Sequence, residues 1–224
     1  MPLPSPPVLW SSSAMPPDFI TSALVTILVT LDPPGLAPIF LSVTRGMNAE
    51  QRRGVAVRAC LLAFGILAFF GFGGELLLRL LGVGLPAFRI AGGLLLFYIA
   101  FEMVFERRNE RKQHTADAAI TLDHIRNVAA FPLAIPLMAG PGAITAMILL
   151  AGRADGQPLA LLTLIAVLAF GVASCFAVFL AAERVSKLLG VTGNVVLTRL
   201  LGVLLATLAV QFVVDGVTAL TARA

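Results

Sequence analysis

Residues 156–182 read GQPLALLTLIAVLAFGVASCFAVFLAA, a run without one Asp, Glu, Lys or Arg. A helix needs roughly 20 mainly apolar residues to cross the hydrocarbon core, and this run exceeds that. Its apolar residues follow one another without the alternation of a barrel strand, and in lipid only helices and closed barrels satisfy every backbone group. The run therefore predicts a membrane-spanning helix, and the rest of the chain must suit a lipid solvent.

Composition agrees. Of 224 residues, 58% are hydrophobic and 12% charged, whereas soluble domains run at about 45–50% and about 25%; mean hydropathy is +0.96. Five further segments approach or exceed the spanning length: residues 19–44 with Asp32, 55–74 with Arg58, 85–105 with Arg89 and Glu102, the uncharged 127–152, and 195–220 with Arg199 and Asp215. The expectation is an all-α polytopic membrane protein of six transmembrane helices. Residues 1–18 form a Pro/Ser-rich segment without a positive n-region, so no cleaved signal peptide is expected and Met15 is an alternative start.

The net charge of +4 does not point to nucleic acid, because the bases are scattered between apolar segments without interleaved aromatics. They sort by side instead. Twelve of the sixteen follow spans one, three and five, among them Arg52, Arg107, Arg108, Arg111, Lys112 and Arg184. The positive-inside rule then puts those loops in the cytoplasm and both termini outside it. Cys60 and Cys175 lie in apolar runs and suggest neither disulfide nor metal, and His114 and His124 lack ligand spacing.

The chain also matches itself at a nearly constant offset. Pro34-Gly35 recurs as Pro141-Gly142, Ala63-Phe64-Gly65 as Ala169-Phe170-Gly171, Leu80 to Val83 as Leu188 to Val191, and Arg89-x-x-Gly92 as Arg199-x-x-Gly202. Order is kept while the offset drifts between 106 and 110. A duplicated unit of three helices, an odd number, sets its second copy upside down. Repeat 1 is expected over 19–105, a solvated cytoplasmic linker over 106–126, and repeat 2 over 127–219.

The first helix of each unit is interrupted, by Asp32-Pro33-Pro34-Gly35 with Pro38 following, and by Ala139-Gly140-Pro141-Gly142. Proline removes a donor and turns its predecessor away from helix. Backbone broken at bilayer depth survives only beside protein or a water-filled cavity, and paired breaks in two repeats point to a transporter's binding site. A half-helix starting after Gly35 or Gly142 would aim free N–H groups at an anion, and the one ending before Pro33 or Gly140 would offer carbonyls to a cation. A small zwitterion satisfies both.

Candidate binding residues are Asp32, Pro34, Gly35, Gly140, Pro141, Gly142 and Thr145. Asp32, the one acid in mid-span, is expected to accept an ammonium, carry a coupling proton, pair with Arg89, or cap the following half-helix. Arg89 and Arg199 hold equivalent positions and read as snorkelling, coupling or gating residues. Thr26, Thr30, Thr198, Thr207 and Gln211 either line a path or bond their own helix backbone.

The stretches DPPGLAPIF at 32–40, LPAFRIAGG at 85–93 and PLAIPLMAGPGAI at 132–144 closely resemble the MarC family, and the resemblance covers nearly all of 19–219. It implies a six-helix protein of the bacterial inner membrane, grouped with neutral amino acid transporters. Many relatives carry Asn where this chain has Leu36, which removes a polar group from the first motif.

The leading expectation is a secondary transporter of a small amphoteric solute, such as a neutral amino acid, by alternating access, with a proton or sodium ion as coupling partner and lipid as surroundings. No Walker, HExxH or Gly-x-Ser-x-Gly pattern is present, so neither a primary pump nor an enzyme is expected, and no cofactor. The alternative is a structural or accessory membrane protein whose broken helices mediate assembly. A homo-oligomer is compatible with either.

Overall fold

A computed structural model describes residues 17–108, 111–114, 129–154 and 157–222. The N-terminal segment up to residue 16, the bulk of the linker including His124, and Arg223 lie outside the described residues.

The described residues are mostly helical and include no strand. In chain order the helices are α1 Pro17–Leu31, α2 Pro33–Val43, α3 Ala49–Leu80, α4 Leu85–Val104, α5 Ala129–Met138, α6 Pro141–Arg153, α7 Pro158–Leu180 and α8 Ala182–Thr221. Among the described residues, five stretches are long and apolar enough to span a membrane: Asp18–Val43, Ala49–Leu80, Leu85–Val104, Pro158–Leu180 and Thr192–Thr221. A sixth forms if α5 and α6, bent by 56° at their junction, count as one.

Local chemistry sets the ends. Asn48 caps α3 by accepting from Gln51 N–H at 2.8 Å, while Gln51 Oε1 accepts from Asn48 N–H at 3.0 Å. This reciprocal box starts α3 at Ala49, ahead of the expected residue 55. Gly190, at φ 58, kinks α8 before the spanning part begins. In α5, Phe131 and Ile135 are extended, each preceding a proline that excludes helical geometry from its predecessor.

The broken helices form the centre. In the apolar 18-residue window of Asp18–Val43, 67% of the residues are buried, against 28% in that of Thr192–Thr221. Phe69 and Phe72 of α3, Phe97 of α4, Phe170 of α7 and Leu200 of α8 are exposed, as side chains facing acyl chains should be.

The α4–α8 contact is reciprocal. A Cβ on Gly93 would stand 2.8 Å from the Ala209 carbonyl, and one on Gly202 would stand 3.1 Å from the Ala100 carbonyl. Gly202 and Ala209 lie 109 positions after Gly93 and Ala100 respectively. Gly93 and Gly202 thus let the helix backbones approach closely. At one end of this contact Arg199 pairs with Glu106 at 3.0 Å. At the other, Arg153 pairs with Asp215, the residue 109 positions after Glu106, at 2.7 Å.

Candidate functional site at the helix breaks

The first break is built by two prolines. Between α1 and α2, Asp32 takes the left-handed conformation, φ 54 and ψ 62, which Asp tolerates better than most residues. Its N–H still reaches the Leu28 carbonyl at 2.9 Å, and Leu36 N–H reaches the Asp32 carbonyl at 3.2 Å. Pro33 and Pro34 have no N–H, so Val29 and Thr30, four residues before them, lose their helical donors. Gly35 N–H turns to Asp32 Oδ1 at 3.2 Å.

This count changes the expectation for the first break. Helix α2 begins at Pro33, ahead of Gly35, and its first turn keeps no N–H for a ligand: two residues are prolines, and Gly35 and Leu36 are bonded within the break. An anion has no backbone donor there.

The two orphaned carbonyls belong to Arg108. Its Nη2 donates to Thr30 O at 2.6 Å and its Nη1 to Val29 O at 3.4 Å. The planar guanidinium replaces the two donors that Pro33 and Pro34 lack, and a buried carbonyl left unmet would cost about 1–3 kcal/mol. Lys112 completes the arrangement, with Nζ 2.9 Å from Asp32 Oδ2 and side chains 7% and 1% exposed.

The linker is therefore no solvated connector at these positions. Residues 107–108 and 111–114 are helical, and both Arg108 and Lys112 are buried. Arg111 pairs at 2.9 Å with Glu102 near the end of α4. Burial pushes the Lys112 ammonium down to about 8; Asp32 pulls it back up, and Arg108 adds to the lowering.

The second break stays open. Gly140 precedes α6 without a side-chain cap, Pro141 carries no N–H, and Ile144 N–H returns to the Gly140 carbonyl at 3.0 Å. Gly142 and Ala143 N–H groups, in the first turn, have no acceptor within their own helix. Gly142 and Ala143 line a cavity of about 330 Å³ whose wall also includes Gly140, Pro141, Thr30, Arg108, Arg111 and Lys112.

The other expected residues fall elsewhere. Pro34 and Gly35 border a separate cavity of about 390 Å³, with Glu106, Gln113, Ser186 and Asn194. Thr145 is buried, its methyl against Gly92 of α4 rather than in either cavity. Arg89 does not pair with Asp32; its Nη2 donates to Gly152 O at 3.1 Å, in a third cavity shared with Arg153 and Asp215. Arg199 holds Glu106. Thr30 Oγ1 bonds the Thr26 carbonyl of its own helix at 2.7 Å.

Arg108 and Lys112 were not among the residues singled out from sequence. The available signal was spacing: 108, 111 and 112 stand at i, i+3 and i+4, which in a helix is one face.

Apolar spans around a buried polar junction define a multi-pass integral membrane protein. Residues 17–221 match the family described as MarC family integral membrane protein, and the chain belongs to that family. It is 38% identical over 199 residues to a UPF0056 membrane protein of Aquifex aeolicus (strain VF5), covering 87% of this chain and 90% of that protein. It is 34% identical over 200 residues to UPF0056 membrane protein YvbG of Bacillus subtilis (strain 168), covering 88% and 93%. It is 33% identical over 193 residues to UPF0056 membrane protein YhcE of Escherichia coli (strain K12), covering 86% and 89%. No solved structure matches.

Proposed function

We propose that the chain is a secondary transporter of a small amphoteric solute, such as a neutral amino acid, working by alternating access in the inner membrane. The observation that carries this reading is the cavity at the start of α6. There the first turn of α6, with its dipole, shares a cavity wall with three basic side chains, one of which, Lys112, is paired with the buried Asp32 carboxylate behind the wall. The solute's carboxylate docks on Gly142 and Ala143 N–H, and Asp32 is the anion available to its ammonium.

Alternating access rests on two inverted repeats, 19–105 and 127–219, joined by the cytoplasmic linker with both termini outside. The reciprocal contacts Gly93–Ala209 and Ala100–Gly202 support that symmetry, since a two-fold axis between α4 and α8 makes each contact the image of the other. Rocking one repeat against the other would expose the breaks to each side in turn.

The second reading is a non-transporting accessory membrane protein. It is favoured by the closure of the first break with the chain's own cations. Counterflow of labelled alanine and glycine into proteoliposomes, with and without a proton gradient, separates the two. A transporter gives saturable flux that falls in Asp32→Asn; flux equal to empty liposomes across neutral amino acids leaves the accessory reading.

A further inference from the structure

Asp32 divides its work between its two oxygens. Oδ1 accepts from Gly35 N–H and holds the start of α2, while Oδ2 faces Lys112 Nζ. Losing Lys112 would leave the cap intact. Arg108 differs in kind, because its partners are the Val29 and Thr30 carbonyls and the Met103 sulfur rather than a carboxylate. Of the two buried linker cations among the described residues, then, one repairs the helix break and the other neutralises a carboxylate.

Lys112 also lies on the wall of the cavity that holds the Gly142 and Ala143 donors. Its terminal group is a primary ammonium on a flexible stem. An α-amino acid carries the same group beside a carboxylate. We infer that Lys112 is a tethered stand-in for the solute's ammonium: the solute displaces it from Asp32 Oδ2 while the solute's carboxylate engages the α6 N-terminus. The inference rests on the transporter reading and narrows its substrate class to solutes bearing both a primary ammonium and a carboxylate.

The exchange has a physical logic. Uncovering a buried carboxylate without a replacement cation is strongly unfavourable, so Lys112 leaves when another cation arrives and stays when none does. A carboxylate alone can approach the α6 donors but cannot release Lys112. The linker thereby reports whether the site is filled, and a conformational step that needs Lys112 withdrawn is barred to the empty protein.

The wild-type chain suffices for the test, since Lys112 and Lys187 are its two lysines and Lys187 is exposed. Purified protein in liposomes is acetylated with an amine-reactive ester, and the Lys112-to-Lys187 labelling ratio is read by mass spectrometry. Readings are taken without ligand, with alanine, glycine or other neutral amino acids, and with propionate; the ratio cancels any reagent consumed by the amino acids.

Saturating alanine should raise the ratio about tenfold while propionate leaves it unchanged, a shift of the size expected when a minor exposed state becomes dominant. Alanine counterflow with a flat ratio overturns the displacement and leaves the transporter. A raised ratio without counterflow upholds the displacement and removes transport. A flat ratio without counterflow for every amino acid overturns both, and an equal rise with propionate overturns the requirement for an ammonium.

Discussion

The Ala209 carbonyl oxygen lies 2.8 Å from the point where a Cβ on Gly93 would stand, closer than side-chain carbons normally approach. Helix α4 therefore meets α8 backbone to backbone, and Gly202 repeats the arrangement against Ala100. Gly93→Ala and Gly202→Ala should each destabilise the protein by about 1–3 kcal/mol through overpacking. Gly65→Ala on α3, with nothing within 4 Å, should instead be neutral or stabilising by up to about 1 kcal/mol through helix preference. Thermal unfolding in detergent reads all three, and equal midpoints for Gly65→Ala and Gly93→Ala would contradict the packing.

Removing one partner of the Asp32–Lys112 pair leaves the other charged and buried, at a cost of about 3–5 kcal/mol. Asp32→Asn and Lys112→Met should each destabilise strongly, and the double variant should cost much less than their sum. Asp32→Ala should be worse than Asp32→Asn, because it also removes the acceptor for Gly35 N–H. Denaturant unfolding of the four-variant cycle gives the coupling; additive losses would show that the two charges do not sense each other.

The pair also gives the protein a signature in pH. Lys112 falls from its ordinary 10.5 to about 8. Below 8 it is charged in folded and unfolded chains alike, and the cost of burying the charge is present in full. Between about 8 and 10.5 the folded chain has released a proton that the unfolded chain still holds, so stability from this group rises with pH. The groups around it are Asp32 at the α1–α2 junction, Cys175 on α7, and Arg108 with Arg111 and Glu102 beside it. Melting temperatures from pH 7 to 10 should show a rising component in the wild type that is missing in Lys112→Met; matched profiles would place Lys112 in water.

The spans were legible from sequence because lipid imposes a length and an apolarity that few other structures need, as residues 156–182 show. The helix boundaries before Pro33 and Pro141 have a reason in the sequence as well, since proline removes a donor and turns its predecessor away from helix. What lay beyond reach was the destination of the freed carbonyls. Nothing in the sequence marks the carbonyls of Val29 and Thr30, and Arg108 sits 78 positions after Thr30 in a charged segment that composition assigns to water. A backbone acceptor leaves no mark in the sequence, so the partner of a broken helix is found only by geometry. The unequal chemistry of the two breaks, by contrast, was readable from Pro33 and Pro34, which supply no N–H.

Arg153 and Arg199 make ion pairs at opposite ends of the α4–α8 contact, yet they should differ in weight. Arg199 and Glu106 are 52% and 37% exposed, and exposed pairs contribute about 0–1 kcal/mol, so Arg199→Gln should be close to neutral. Arg153 pairs with Asp215, donates to Ser22 Oγ at 3.2 Å, and lies 4.1 Å over the Phe212 ring. Arg153→Gln should lower the unfolding midpoint clearly more than Arg199→Gln, and the reverse order would assign the structural weight to the wrong end.

Leu36 stands where the family resemblance leads one to expect Asn, and its surroundings decide what introducing Asn would do. The side chain is fully buried in the apolar core, in the first turn of α2, and borders neither break cavity. Its N–H is already taken by the Asp32 carbonyl. An amide there must find partners inside the apolar core or stay unmet, at about 1–3 kcal/mol. Leu36→Asn should therefore lower thermal stability while leaving the half-saturation for alanine counterflow within about twofold of wild type, since a contact outside the cavity carries little differential binding energy. A large gain in alanine affinity with stability preserved would mean that this turn of α2 rotates toward the solute, and that the first break belongs to the binding surface after all.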